Sequence, residues 1–293
     1  MPFSFALQIM EQKNPPFVAG KIFKKSEKWN QLIDELETNG HEVKKWTRKA
    51  FAENGVNIFS NEFFNQNMKS WKFNKKIYET AESIRDAEIK NYGGAINHPD
   101  KTKELLDEML TSGAIRRSTD SDKKDNQFMV NPIDLKFSEE GKARFILHFK
   151  LNSGYRKVIQ KMANVVKESK SLFDIEELVQ YDMMKCYFQF KMRDDVTPAV
   201  SFVYEEIFYT FQVLPFGMSM SGLIASTTTT LFLNGFAFMS GCFTLGYVDD
   251  FLLNKAKAEG FEEYASGLDI QFKPAKFRSG PQVEFCGYYA LGR

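Results

Sequence analysis

The sequence is poor in the residues that announce many functions on their own. It holds three cysteines in 293 residues, Cys186, Cys242 and Cys286, far apart and in apolar surroundings. They match no zinc-ligand spacing, and an odd, sparse set builds no disulfide framework, so they read as reduced core thiols of an intracellular protein. Charge of one sign is also missing. Lys and Arg number 39 against 38 Asp and Glu, a net of +1, so no global basic field is present and any nucleic-acid site has to be a local patch. The opening "MPFSFALQIMEQK" lacks a basic n-region and a long enough apolar h-region, so no signal peptide is expected. There is no internal repeat, and low complexity is confined to "STTTT" at 226–230. One run imitates a membrane span, "LFLNGFAFMSGCFTLGYV" at 231–248. It carries Asn234, Ser240 and three glycines and runs straight into two aspartates, which predicts a buried helix followed by a strand, and no membrane.

What is present is the composition of a globular protein, 43% hydrophobic and 26% charged, with 29 Phe to build an aromatic core. The length allows one large domain or two ordinary ones. The first hundred residues are polar and rich in Lys and Asn. Trp29, Leu32, Ile33 and Leu36 fall at helical spacing, and Gly40 fits the end of that helix. "YETAESIRDAEIKNYGG" (78–94) is a second helix candidate closed by its glycine pair. A third, with Asp100 as N-cap, turns Leu105, Leu106, Met109 and Leu110 inward and stops at Gly113.

From about residue 127 the pattern changes to short strands. "QFMVNPIDLKF" and "ARFILHFKLN" flank "SEEGK", a hairpin turn by its polarity and glycine. "LVQYDMMKCYFQFKM" (178–192) reads as a buried strand leading into a turn, and "AVSFVYEEIFYTFQV" (199–213) as two β-rich runs joined by "YEE". A Ser/Thr-rich helix follows Gly217, then a hairpin at 245–253, a short helix near 259–266 and a last strand pair, "VEFCGYYAL". Helices and strands interleave without βαβ regularity, which predicts an α+β fold with a largely antiparallel sheet.

Within that hairpin, "LGYVDDFLL" is apolar everywhere except at Asp249 and Asp250. Adjacent carboxylates repel, and burying them unpaired is costly. Two readings stand: a solvated hairpin tip, or a divalent-metal site that turns repulsion into binding. Asp182 also ends a strand-like run. If the two strands are neighbours in one antiparallel sheet, three acids meet at one end of it. That arrangement suits a pair of Mg²⁺ ions and in-line phosphoryl displacement.

The order of motifs over residues 99–292 resembles the fingers and palm of reverse transcriptases. "ELLDEMLTSGAIRRS" looks like the entry to the fingers, and "RFILHFKLN" is similar to the family's Arg-containing strand ending in Leu-Asn. "YDMMKCYFQF" looks like the first palm motif, "VLPFGMS" the second, "YVDD" the third and "VEFCGYY" the primer-grip hairpin. A lone Y-x-D-D is weak; the ordered set carries the resemblance. Its flavour is that of long-terminal-repeat retroelements, and more closely of DIRS-like retrotransposons. "LPFG" has Phe where lentiviral enzymes have Gln, "QKMANV" echoes the DIRS-like connection, and the Trp29 region is similar to the N-terminal extension of those elements.

The resemblance implies an α+β right-hand polymerase with a central antiparallel sheet, a mostly helical N-terminal extension (1–98), and fingers and palm over 99–293 that end after the primer-grip hairpin, with no thumb. It implies an RNA-directed DNA polymerase that adds dNTPs to the primer 3′-OH on an RNA or DNA template, located in cytoplasm, nucleus or a retroelement particle. Asp182, Asp249 and Asp250 become the carboxylates for two Mg²⁺ ions, with Mn²⁺ as a substitute and the Met183 carbonyl assisting. Tyr187 becomes the steric gate against a 2′-OH. Arg144 contacts the triphosphate with Lys136 as companion (Lys142 being the other choice), since guanidinium offers bidentate donors that stay charged. Phe216 and Gly217 form part of the nucleotide pocket wall. The proton for departing pyrophosphate falls to Lys273 or Lys276, and His148 is assigned no chemistry.

The chain departs from the family's pattern in three places. "SMSGLIASTTTT" lacks the usual small–Pro pair, the segment from Asp250 to "GLDI" is short, and no thumb follows Arg293. With few backbone-phosphate contacts, low processivity and steep salt sensitivity are expected. A catalytically inactive or domesticated relative that binds nucleic acid or protein partners is the alternative. An RNA-directed RNA polymerase is disfavoured by Tyr187.

Overall fold

A computed structural model describes residues 16–60, 63, 89–153, 175–273, 278–280, 282–285 and 288–291. The helix candidate over 78–88, "QKMANV", Lys276, Cys286 and the first 15 residues lie outside them. Helices and strands interleave in an α+β arrangement. One four-stranded sheet runs β1 (Ile115–Arg117), β7 (Ile207–Phe211), β6 (Ser201–Tyr204), β2 (Val130–Asn131), with β2 parallel to β6 and the other pairs antiparallel. A second, wholly antiparallel, runs β10 (Arg278–Gly280), β5 (Leu178–Asp182), β9 (Asp250–Asn254), β8 (Thr244–Tyr247). Two hairpins stand apart, β3 (Ile133–Phe137) with β4 (Ala143–Leu147) and β11 (Gln282–Phe285) with β12 (Tyr288–Leu291).

The turns follow from their residues. Glu205 and Glu206 both take positive φ, 46° and 64°, the signature of a two-residue hairpin turn whose twist matches its strands. In "SEEGK" Gly141 takes φ 75° and the Ser138 amide donates to the Lys142 carbonyl at 3.0 Å.

Aromatic packing dominates the larger of two buried clusters among the described residues, the smaller being Ile175, Leu178, Leu245, Leu252, Val283 and Phe285. Trp29 lies on α1 (Glu27–Thr38), stacks on Phe51 of α2 (Lys45–Ala52) at 4.5 Å, and donates its indole N–H to the Leu268 carbonyl at 3.0 Å. Phe23 meets Phe190 at 5.8 Å. The N-terminal segment is also laced to the body by main chain. Gly20 and Ile22 donate to the carbonyls of Phe188 and Gln189, both at 2.8 Å, and Val56 donates to Lys191 at 3.0 Å. The long apolar segment forms α6 (Ser221–Ser240), with β8 after it. By length and composition α6 is apolar enough to cross a membrane, yet half of its most apolar stretch is buried within the protein. Gly235 lets Leu32 and Tyr264 close on it, for a Cβ there would lie 2.3 Å and 2.4 Å from their atoms.

Two boundaries differ from the sequence reading. The third helix, α4 (Pro99–Ser112), has His98 as N-cap and Pro99 as its first residue, so Asp100 lies two steps further in than expected. The fixed φ of Pro suits the first helical position, and the acid still faces the positive helix end. The glycine pair opens a helix, α3 (Gly93–Asn97), instead of closing one, and residues 89–92 are not helical. The cause is tertiary. A Cβ on Gly94 would sit 2.2 Å from the Leu135 carbonyl oxygen, so glycine is there to let α3 lie against β3.

Candidate active site

The acids are positioned by ladder register. β5 and β9 pair antiparallel with Asp182 opposite Asp250, and directly opposite residues in such a ladder have Cα atoms about 4.5–5.5 Å apart. Asp249 sits in the turn just before β9, and its carbonyl accepts the Met183 amide at 2.8 Å. Tyr247 pairs with Asp250, leaving Val248 and Asp249 as the two turn residues. Val248 takes φ 57°. For a β-branched residue this left-handed conformation costs about 1–2 kcal/mol, so the rest of the hairpin must over-determine it. The sequence gives no warning, because Val is a strand former.

Asp182 is 2% exposed. The Lys273 ammonium lies 2.5 Å from its Oδ1, while the Lys273 amide donates to the Asp182 carbonyl at 2.8 Å. Phe272 forms an antiparallel bridge with Met183. Of the two lysines offered by the sequence, Lys273 is the one seen at the acids, and Lys276 lies outside the described residues. Below them is Cys186, a buried thiol. Burial pushes it well above its ordinary value, and the charges of Asp249, Asp182 and Asp250 push the same way against Lys273. One thiol thus feels all three acids and the lysine.

Tyr187 lies in the turn after β5, its ring 4.8 Å from Phe216. Its phenol is pushed up to about 12, chiefly by burial and then by Cys186, Asp249 and Tyr247. Gly217 takes φ 98°, and a Cβ there would lie 2.1 Å from the Leu147 carbonyl oxygen. The Leu147 amide donates to Phe216 at 2.8 Å. The end of β4 therefore abuts the Pro-Phe-Gly turn, which in turn touches Tyr187.

Arg144 and Lys136 are register partners across the β3–β4 hairpin, both exposed. Lys136 reaches the buried Asp134 at 2.7 Å. Burial pushes the Asp134 carboxyl up, but the Lys136 ammonium, the Leu135 amide and His148 together outweigh it and hold the group below the usual carboxylate range. The His148 ring packs tilted against Tyr92 at 4.1 Å. Lys142 stays in the exposed turn.

Two residues were passed over as site residues. Asn152, which ends "RFILHFKLN", donates to the Gly217 carbonyl at 2.5 Å and accepts from the Ser219 amide at 2.9 Å. Gln189, fully buried, donates to the carbonyls of Met184 and Gln271 at 2.7 and 2.8 Å and accepts from the Gln271 amide at 2.9 Å. The available signal was a lone amide inside the apolar "YFQF".

The donor chemistry fits magnesium, since carboxylate oxygens are the hard ligands that ion prefers, and the backbone holds the three acids side by side. The Asp182 side chain is paired with the Lys273 ammonium. Among the described residues no group of three or more His, Cys, Asp or Glu converges as a ready-made metal cage.

No protein-family profile matches the chain, and no curated protein matches it. Solved structures do. The chain is similar to the foamy viral protease–reverse transcriptase dRH in complex with ds DNA, with TM-score 0.58 and 14% identity over 79% of this chain and 45% of that one. It is also similar to the native prototype foamy virus protease–reverse transcriptase, with TM-score 0.55 and 15% identity over 71% and 28%. The chain thus spans less than half the length of either. An antiparallel sheet with acids opposed at the ends of its two central strands, in a chain similar to these structures over 71–79% of its length, is a reverse-transcriptase-like fold.

Proposed function

We propose that the chain is the fingers and palm of an RNA-directed DNA polymerase of a long-terminal-repeat or DIRS-like retroelement, adding dNTPs to a primer 3′-OH. The observation that carries this is Asp182 opposite Asp250, with the Asp249 turn bonded to Met183, inside a fold shared with reverse transcriptases. One of those neighbours is described in complex with double-stranded DNA, which supports a primed template as partner here.

Asp182, Asp249 and Asp250, with the Met183 carbonyl, would hold divalent magnesium, or manganese in its place, which when bound supplies Lewis-acid charge neutralisation at the reacting phosphate. Arg144 and Lys136 grip the triphosphate with charged donors. Tyr187, backed by Phe216, stands under the sugar and excludes a 2′-OH, while Gly217 lets the pocket wall close. Lys273 or Lys276 delivers the proton to pyrophosphate.

One observation favours the second reading, a catalytically inactive relative that binds nucleic acid or protein: an ammonium, not an open cage, faces Asp182. Primer extension separates the two. Incubated with primed RNA or DNA, Mg²⁺ or Mn²⁺, and dNTPs or NTPs, an active enzyme extends with dNTPs and loses extension in Asp249→Ala. Duplex binding without extension under either metal supports the inactive relative. Tyr187→Ala is expected to admit NTPs, and unchanged selectivity removes the gate assignment.

A further inference from the structure

We propose that Lys273 is the resident counter-cation of Asp182, so that a divalent ion loads at this strand edge by displacing an ammonium already there. The inference rests on the metal-binding reading of Asp182 given above, and deepens it. A carboxylate only 2% exposed needs a compensating charge when no metal is bound. The Lys273 ammonium supplies it at 2.5 Å from Oδ1. That oxygen cannot take a metal ion and an ammonium in the same direction at once.

The surroundings make Lys273 a switchable partner. Its segment is held by four hydrogen bonds, one on Lys273 and three on Gln271: the Lys273 amide donates to the Asp182 carbonyl at 2.8 Å, the Met184 amide donates to the Gln271 carbonyl at 2.9 Å, and the buried Gln189 side-chain amide both donates to and accepts from the Gln271 backbone. The side chain, in contrast, keeps 30% of its surface exposed. The ammonium can therefore swing into solvent while its strand stays in register, and return when the metal leaves. Gln189 is a positioning residue in this device, since it holds the segment that aims the lysine.

The test uses the full chain with Mn²⁺ alone, without nucleic acid or nucleotide, followed by titration calorimetry. Lys273→Met is expected to tighten Mn²⁺ binding roughly three- to tenfold, because the competing charge is gone. Asp182→Asn is expected to abolish binding in both backgrounds. In the unmodified chain, acylation of the Lys273 amine, read by mass spectrometry, is expected to rise several-fold on saturation with Mn²⁺; this second measurement does not depend on a variant folding. Equal or weaker binding by Lys273→Met, with Asp182 still required, overturns the exchange and leaves the metal site standing. So does an amine whose reactivity is unchanged when Mn²⁺ is bound. Absence of any Asp182-dependent binding in either chain overturns both the exchange and the metal reading beneath it.

Discussion

The strand edge bearing the acids and the hairpin bearing the basic pair are held in place by different means. Asp182 and Asp250 inherit their positions from a four-stranded ladder with buried neighbours on both sides. Arg144 and Lys136 stand on a separate two-stranded hairpin whose described main-chain tie to the Pro-Phe-Gly turn is the Leu147–Phe216 hydrogen bond, braced by Asn152. The acid side is thus set by one ladder, and the basic side by contacts between separate elements, the Tyr92 amide also donating to the Ile133 carbonyl at 2.9 Å and Gly94 lying against Leu135. Chemistry that needs tight placement belongs on the first, and recognition of an arriving ligand tolerates the second.

The largest expected effect breaks the comparison at its chemical end. Asp249→Ala is expected to lower primer extension by at least about 10³-fold, whereas Arg144→Ala is expected to cost about 10–100-fold, mostly as a raised KM for dNTP. Steady-state kinetics reads both, and equal losses in kcat would erase the division. The tie to the Pro-Phe-Gly turn comes next. Gly217→Ala places a methyl group against the Leu147 carbonyl at a positive φ, with an expected loss of about 3 kcal/mol in urea unfolding; a neutral result would mean the hairpin docks elsewhere. Gln189→Leu keeps the volume but removes three hydrogen bonds and takes away the described partner of the Met184 carbonyl and of the Gln271 amide, for an expected loss of about 2–3 kcal/mol.

The smallest effect belongs to the exposed side. Lys136→Met is expected to cost about 0.5–1 kcal/mol near neutrality, as for a pair whose lysine end is exposed to solvent. Its sign with pH follows from Asp134. That carboxyl is depressed in the folded protein, so its contribution is present above the ordinary value of about 4 and is lost as pH falls through the folded one. Melting curves of the two proteins should therefore converge in acid. A gap that persists there points to lost packing of the lysine stem.

Much of this was legible in the residues. The α1 stripe, the "SEEGK" turn, the "YEE" hairpin and the buried helix before β8 all come from periodicity and turn chemistry, which are local. The pairing of Asp182 with Asp250 was only conditional, because strand order is a property of the whole chain. Tertiary demands explain the misreadings: glycine at 93–94 looks like a helix stop until β3 is seen lying against Gly94, and Asp100 looks like a cap until Pro99 takes the first turn. The contact of Lys273 with Asp182 depends on a bridge between Phe272 and Met183 that no local pattern encodes.

The lacing of residues 20–56 onto Phe188–Arg193 has a practical consequence. A shortened version begun near residue 99 would bare the carbonyls of Phe188, Gln189 and Lys191 and the faces of Phe190 and Leu268, in the same stretch that carries Tyr187 and Gln189. Trimming the front of this protein therefore means cutting away the wall behind the turn that carries Tyr187.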